Sequence, residues 1–126
     1  MSTPATRPPT VLDEAALARL RELDPKGENQ LMERVLKAFD ASVARLVPQL
    51  LQARAAADHA AIRHVAHTLK SSSASIGAVA LSRLCASVEA AARAGTLDLL
   101  GPDIDDMCRE IDFVLQALKK LLGPTP

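Results

Sequence analysis

Apolar residues recur along most of the chain at the three- and four-residue spacing of amphipathic helices, and this pattern predicts five helices. The first helix is short, with an N-cap at Asp13 and an end near Leu23. The second begins near Glu28 or Asn29 and contains Pro48. We expect Pro48 to kink or interrupt this helix, because proline removes a backbone hydrogen bond.

The third and fourth helices have clear boundary signals. Asp58 is a good N-cap for the third, and Gly77 stands where a left-handed C-terminal residue is favoured. The fourth ends at Gly95, and Pro102 is expected to open the fifth, since the first turn of a helix tolerates proline. Short connections make the last four helices successively antiparallel. The sequence therefore predicts an all-α fold, an antiparallel up-down four-helix bundle with a short additional N-terminal helix.

The same pattern divides the chain into a bundle and two tails. Residues 1–10 are rich in proline and threonine and lack an apolar core, which predicts a flexible N-terminal tail and not a secretory signal. Residues 11–122 form the helical bundle, and residues 123–126 form a short C-terminal tail. No segment approaches the roughly 18 apolar residues of a membrane span.

Composition narrows the functional classes. Hydrophobic residues make up 48% of the 126 residues but aromatic residues only 2%, so the core must be aliphatic and base stacking is disfavoured. The formal net charge is zero, so no global field attracts nucleic acid or an anionic membrane. Cys85 and Cys108 lack zinc-binding spacing and fall on apolar helix faces, which predicts buried free thiols and fits a reducing cytoplasm. We expect a cytoplasmic monomer that binds neither nucleic acid nor membrane.

The stretch HVAHTLKSSSASIGA, from His64 to Ala78, holds two of the three histidines, a lysine and a run of serines. Each residue of a helix advances roughly 100° around the axis, which places His67 roughly 140° from Ile62 and away from the apolar stripe. Helical spacing brings five residues close to His67, namely Arg63, His64, Lys70, Ser71 and Ala74. The pattern predicts an exposed imidazole beside two cations.

An exposed neutral imidazole has a lone pair, and Arg63 and Lys70 would attract an anion such as a phosphoryl group. Three other interpretations stay open. His67 could be a general base, although no acid is placed to orient its ring. His59, His64 and His67 could bind a metal, although two cations oppose it and no carboxylate lies on that face. The histidines could also simply occupy a solvated helix face.

The segment AHTLKSSSASIGA, with LSRLCASVE after it, resembles the signature of histidine-containing phosphotransfer (HPt) domains. The resemblance extends over roughly residues 28 to 120 and is carried by Ala66, His67, Thr68, Leu69, Lys70, Ser72, Ser73, Gly77, Ala78, Leu81, Leu84, Cys85 and Glu89.

The resemblance implies a bundle without independent catalytic activity in which His67 is the phospho-acceptor, reacting through Nε2, and Lys70 steadies the phosphoryl oxygens. It implies response-regulator receiver domains or a hybrid sensor kinase as partners, and no cofactor or metal of its own, with Mg²⁺ expected on the partner receiver. The neighbouring docking residues would be Arg63, His64, Ser71 and Ala74. The alternative is a helical-bundle binding or inhibitory module for a signalling protein, with no phosphoryl chemistry.

One position departs from the family pattern. Where HPt domains usually have glycine four residues after the histidine, this chain has Ser71. A side chain at that position leans back over the imidazole of His67. We expect the serine to change the rate of phosphoryl transfer and not to abolish it.

Overall fold

A computed structural model of the chain describes residues 11–95 and 97–123, apart from the side chains of residues 97–100. Five helices and no strand lie in these ranges: α1 (Glu14–Leu23), α2 (Leu31–Ala55), α3 (His59–Ser75), α4 (Val79–Ala94) and α5 (Leu97–Leu122). The predicted all-α class is confirmed. The predicted tail at residues 1–10 and most of that at 123–126 lie outside the described residues, so both tails stay predictions.

Helices α2 to α5 form the bundle, and α1 packs against α2. Connections of two or three residues separate the four bundle helices, which makes successive helices antiparallel. Among neighbouring helices of the bundle, α3 and α4 make the most extensive contact, and α2 and α5 make the least extensive one. None of the helices in the described ranges is long and apolar enough to cross a membrane.

The core is aliphatic, as the composition requires. Full burial of one such side chain contributes about 1.5–3 kcal/mol to stability, so a set drawn from all four bundle helices outweighs any surface contact. The largest fully buried side chains are Leu36, Leu50, Ile62, Leu69, Ile76, Leu81, Ile104, Met107 and Leu118.

Helix α1 docks on the turn between α3 and α4. Leu12 and Leu17 are both buried, in the positions of a hydrophobic staple around the N-cap Asp13. The backbone N–H of Asp13 donates to the carbonyl of Gly77 at 2.7 Å. A Cβ on Gly77 would lie 2.9 Å from the Cβ of Ala16 and from the Asp13 backbone, and the φ of Gly77 is +80°. This close approach therefore requires glycine.

Helix α2 begins at Leu31, two or three residues later than predicted. The carboxylate of Asp24 accepts from the backbone N–H groups of Asn29 and Leu31, at 3.2 and 3.1 Å, and holds the preceding turn outside the helix. Of the kink or interruption predicted at Pro48, the interruption is wrong, because α2 continues through Pro48 to Ala55, and the kink stays a prediction. Pro48 lies on the exposed face, where water can hydrate the carbonyl that loses its partner.

The cap at the start of α3 and the glycines that follow α3 and α4 are as predicted, but the start of α5 is not. Asp58 caps α3 by accepting from the N–H of Ala61 at 3.1 Å, and α4 ends at Gly95 with a left-handed φ of 72°. Helix α5 begins at Leu97, so Pro102 lies inside it and does not open it. Proline removes a single backbone hydrogen bond there, a loss that a helix near its start tolerates when packing holds it in place.

Candidate functional site

His67 lies in the middle of α3 with 63% of its side chain exposed. The opposite face of the same helix is buried in the core through Ile62, Val65 and Leu69. The residues predicted to surround His67 share its exposed face: Arg63, His64, Ser71 and Ala74 are exposed, and Lys70 is half-buried. The helical pattern therefore places these side chains where the sequence predicts them.

A carboxylate from α4 completes the site. Oε2 of Glu89 lies 2.8 Å from Nδ1 of His67, and Oε1 accepts from Nζ of Lys70 at 2.7 Å. Arg93, one turn further along α4, donates to Oε2 at 3.3 Å. We call these four residues the Glu89 cluster. Only 8% of the Glu89 side chain is exposed, whereas its three cationic or titratable partners reach solvent.

Two expectations from the sequence are wrong at this point. An acid does orient the ring of His67, and a carboxylate does stand beside the histidine face. The signal that could have found it is the position of Glu89 among the buried residues Cys85, Val88 and Ala92. A carboxylate on an apolar helix face is rarely left without a partner, and α3 is the nearest source of one.

The protonation of the cluster follows from its geometry. The hydrogen bond from Lys70 lowers the pKa of Glu89, burial opposes this, and the hydrogen bond with His67 lowers it further. Ionised Glu89 can only accept hydrogen bonds, so Nδ1 of His67 must carry the hydrogen that joins them. A neutral ring then has its lone pair on Nε2. The site therefore presents a nucleophilic nitrogen held in one tautomer by a buried carboxylate.

Beside His67, the surface forms an open depression of about 310 Å³ between α3 and α4. Two arginines lie at its sides and the carboxylate of Glu89 lies within it, so cations outnumber carboxylates around the ring. Such a surface attracts an anionic group towards the imidazole. The lining residues are Ala60, Arg63, His64, His67, Glu89 and Arg93.

Three of the serines near His67 donate their hydroxyl groups to backbone carbonyls. Ser72 Oγ donates to the carbonyl of Thr68 at 3.2 Å, and Ser75 Oγ donates to that of Ser71 at 3.1 Å. Ser82 Oγ, from α4, donates to the carbonyl of Lys70 at 3.1 Å. These hydroxyls stabilise helices and the α3–α4 contact, so they are not arranged as nucleophiles activated by His67.

The histidines do not assemble a metal site. His59 occupies the first turn of α3, two turns before His67. Among the side chains that the structure describes, those of residues 11–95 and 101–123, no group of three histidine, cysteine or acidic residues is placed to hold a metal ion. The three-histidine interpretation thus has no geometric support in these ranges.

Both cysteines are free thiols, as predicted, but they differ in burial. Cys85 is fully buried, and burial raises its pKa to about 12, so its thiolate is not populated at neutral pH. Cys108 is only half-buried, and desolvation raises its pKa as well. Neither thiol has the lowered pKa of a reactive cysteine.

Comparisons with known proteins agree with this geometry. The profile of a family described as Hpt domain matches residues 34–122. The crystal structure of histidine-containing phosphotransfer protein B (HptB) from Pseudomonas aeruginosa PAO1 is similar, with a TM-score of 0.82 and 30% sequence identity. That similarity covers 91% of this chain and 96% of the other. A search of curated proteins found no match.

Proposed function

The chain belongs to the Hpt domain family, and from this premise we propose that it is a histidine phosphotransfer protein of a two-component phosphorelay. His67 carries the phosphoryl group between the aspartates of receiver domains. The observation that carries the proposal is the exposed imidazole of His67, at the family's motif position, with Nδ1 held by buried Glu89 and Nε2 open.

In the proposed reaction, the Nε2 lone pair of His67 attacks the phosphorus of an aspartyl phosphate on a receiver. The new N–P bond forms as the bond to the aspartate oxygen breaks, and the electron pair returns to the carboxylate. Phosphoryl transfer depends mainly on positioning and on electrostatic stabilisation of the moving charge. Here the rigid α3–α4 pair supplies the position, and the cations of the site supply part of the electrostatics.

Lys70 is the proposed phosphoryl-stabilising residue. Its ammonium group has three N–H donors, one of which is directed at Glu89 at 2.7 Å. With 35% of the side chain exposed, the remaining donors can reach phosphoryl oxygens bound at the neighbouring Nε2. We expect Mg²⁺ to be held by the receiver, so the chain contributes no metal ligand to the reaction.

The receiver is proposed to dock over the exposed faces of α3 and α4. Small residues beside the imidazole, Ser71 and Ala74, leave room for a large partner, while Arg63 and His64 stand on the other side of it. An acidic site on the partner complements the cations there. The chain thereby acts as a carrier, and the partner provides the rest of the transfer site.

The test is incubation of the full chain with a receiver whose aspartate is phosphorylated with radiolabelled phosphate. We expect an acid-labile, base-stable label on this chain, which His67→Gln abolishes. The matched control is His64→Gln, which removes an imidazole one turn away and should still be labelled, though at a different rate. Absence of label with a broad panel of phosphorylated receivers would instead favour a binding or inhibitory bundle.

A further inference from the structure

The hydrogen bond between His67 and Glu89 constrains the phosphorylated ring as well as the free one. In the free ring, Nδ1 carries a hydrogen and Nε2 a lone pair. Once Nε2 carries a phosphoryl group, a neutral ring has no N–H left, and Nδ1 keeps its hydrogen only if the ring is a cation. The ionised carboxylate 2.8 Å from Nδ1 has no hydrogen to accept from the ring unless that hydrogen stays, and the two lone pairs would then face each other.

We propose that Glu89 retains the hydrogen on Nδ1 throughout the transfer cycle, so that His67 carries the phosphoryl group as a phosphoimidazolium. This rests on the proposed function, in which Nε2 of His67 is the phospho-acceptor. Glu89 is then a positioning residue that acts through the ring and does not touch the phosphoryl group.

The charges around the ring support this assignment. From α3, Arg63, His64 and Lys70 face the site, and from α4, Glu89 and Arg93. The cations alone would favour loss of the proton from the ring. Within the Glu89 cluster the carboxylate contacts Nδ1 directly, and its burial weakens solvent screening of that contact.

Phosphorylation of Nε2 strengthens the hydrogen bond between Nδ1 of His67 and Glu89. Lys70 and Arg93 compete with Nδ1 for the Glu89 carboxylate in the free protein. A phosphoryl dianion on Nε2 offers Lys70 another acceptor, which weakens the hydrogen bond from Lys70 to Glu89. The carboxylate is then more available to the ring cation.

The consequence concerns the leaving group. Forward transfer breaks the N–P bond with its electron pair going to Nε2, and the neutral imidazole is regenerated with the hydrogen still on Nδ1. Without that hydrogen, the leaving group would be an imidazolate, a much poorer one. No proton has to enter or leave in either direction, so the geometry favours a readily reversible carrier.

The test measures the pH at which the phosphorylated ring loses its proton. The full chain is phosphorylated with phosphoramidate, and the ¹⁵N signals of the His67 ring are followed by NMR through a pH titration. A phosphorylated peptide of residues 61–73, which lacks Glu89, gives the reference. We expect the midpoint in the protein to lie about one pH unit or more above that of the peptide, from the strength of a charged hydrogen bond.

The matched variant is Glu89→Gln, which keeps the shape and removes the charge. Its midpoint should fall back towards that of the peptide, and its transfer to a receiver at mildly alkaline pH should slow by about tenfold, as one pH unit implies. Arg93→Ala removes a competitor for Oε2 of Glu89 and leaves the carboxylate on Nδ1, so its midpoint should not fall below that of the unaltered chain.

Equal midpoints in the protein, the Glu89→Gln variant and the peptide would overturn the inference, as would a fall in the midpoint of Arg93→Ala as large as that of Glu89→Gln. A chemically phosphorylated chain that no receiver accepts from would overturn the proposed function while the titration still decides the inference. Failure of both phosphoramidate and receivers to label His67 would overturn both.

Discussion

At the scale of single residues, helical spacing predicts Ser71 as a neighbour of His67 but does not predict the contact with Glu89. Ser71 is exposed on the face of His67, and its carbonyl accepts from Ser75 Oγ. The wheel geometry of one helix predicts such neighbours, because they are fixed by spacing along α3. Glu89 was not predicted, because its contact depends on the register between α3 and α4, which a single sequence does not contain.

The Ser71→Gly variant should change transfer without abolishing it. Removal of the hydroxymethyl group clears the space over the imidazole, and we expect a change of a few-fold in the rate of transfer from a phosphorylated receiver. Glycine inside a helix also costs about 0.5–1 kcal/mol relative to alanine, so the melting temperature should fall by a few degrees. Rapid-quench kinetics and calorimetry measure the two effects.

Ser71→Ala separates these contributions, because it removes the hydroxyl while keeping a good helix former. Equal transfer rates and receiver affinities in all three proteins would show that position 71 does not influence the reaction.

At the scale of helices, the capping signals were the reliable part of the sequence pattern. Asp13, Asp58 and Gly95 mark helix ends through local bonds and backbone angles, and each does so in the structure. The start of α2 depends instead on the Asp24 carboxylate reaching seven residues along the chain. Pro102 shows that a permitted position for proline is not an obligatory helix start, since packing can carry a helix past it.

The link between α3 and α4 through Glu89 should make stability depend on acid. Because the pKa of Glu89 is lowered in the folded protein, chiefly by Lys70, its contribution is fully present above its ordinary value of 4.5 and is lost as pH falls through the lowered value. The stability advantage over Glu89→Gln should therefore shrink in urea melts taken from about pH 7 to about pH 3.

Glu14→Gln is the control for that comparison, since Glu14 is an exposed carboxylate on α1. An advantage over Glu89→Gln that did not change with pH would mean that Glu89 stabilises the α3–α4 pair through packing alone.

The turn between α3 and α4 should tolerate no side chain at Gly77. Gly77→Ala forces a Cβ into a left-handed backbone and within 2.9 Å of Ala16 and Asp13 of the docked N-terminal helix. We expect a loss of about 2–4 kcal/mol in the free energy of unfolding, from backbone strain together with the clash. Denaturant titration measures it.

Gly95→Ala is the matched control, because Gly95 also has a left-handed φ but no atom lies within 4 Å of its added Cβ. It should cost about 1 kcal/mol, the conformational part alone. Equal losses at the two glycines would mean that α1 is not tightly docked on this turn.

At the scale of the whole molecule, the sequence predicts the four-helix bundle but does not predict that some pairs of helices pack more closely than others. Helical periodicity and short connections define an up-down arrangement, but they do not say which pairs pack closely. Among neighbouring helices of the bundle α2 and α5 pack least closely, and an apolar groove of about 440 Å³ lies between them, lined in part by Val47, Leu51 and Leu115. How closely two helices pack depends on the volumes of the side chains between them, which the periodicity of apolar residues does not encode.

The cations around His67 should make receiver encounter depend on salt although the chain is neutral overall. The charge that matters is local, carried by Arg63, Lys70 and Arg93 on one face. Raising ionic strength from about 0.05 to about 0.3 M should lower the second-order rate constant for transfer from a phosphorylated receiver by several-fold, because screening shortens the reach of these charges.

Arg63→Ala should flatten that dependence, whereas Lys119→Ala, which removes an exposed cation from the last turn of α5, should not. An unaltered chain whose transfer is insensitive to salt would show that encounter is not steered by this surface.

The contact of Asp13 with Gly77 also determines where the two ends of the described chain emerge. Helix α1 begins at the α3–α4 turn, and α5, antiparallel to α4, finishes at that same end of the bundle. Protein engineering can use this shared end of the bundle, because a circular permutant joined there and reopened after Gly95 keeps α3 and α4 continuous. Such a permutant would preserve the Glu89 cluster intact while moving the attachment points for fused reporters to the opposite end of the bundle.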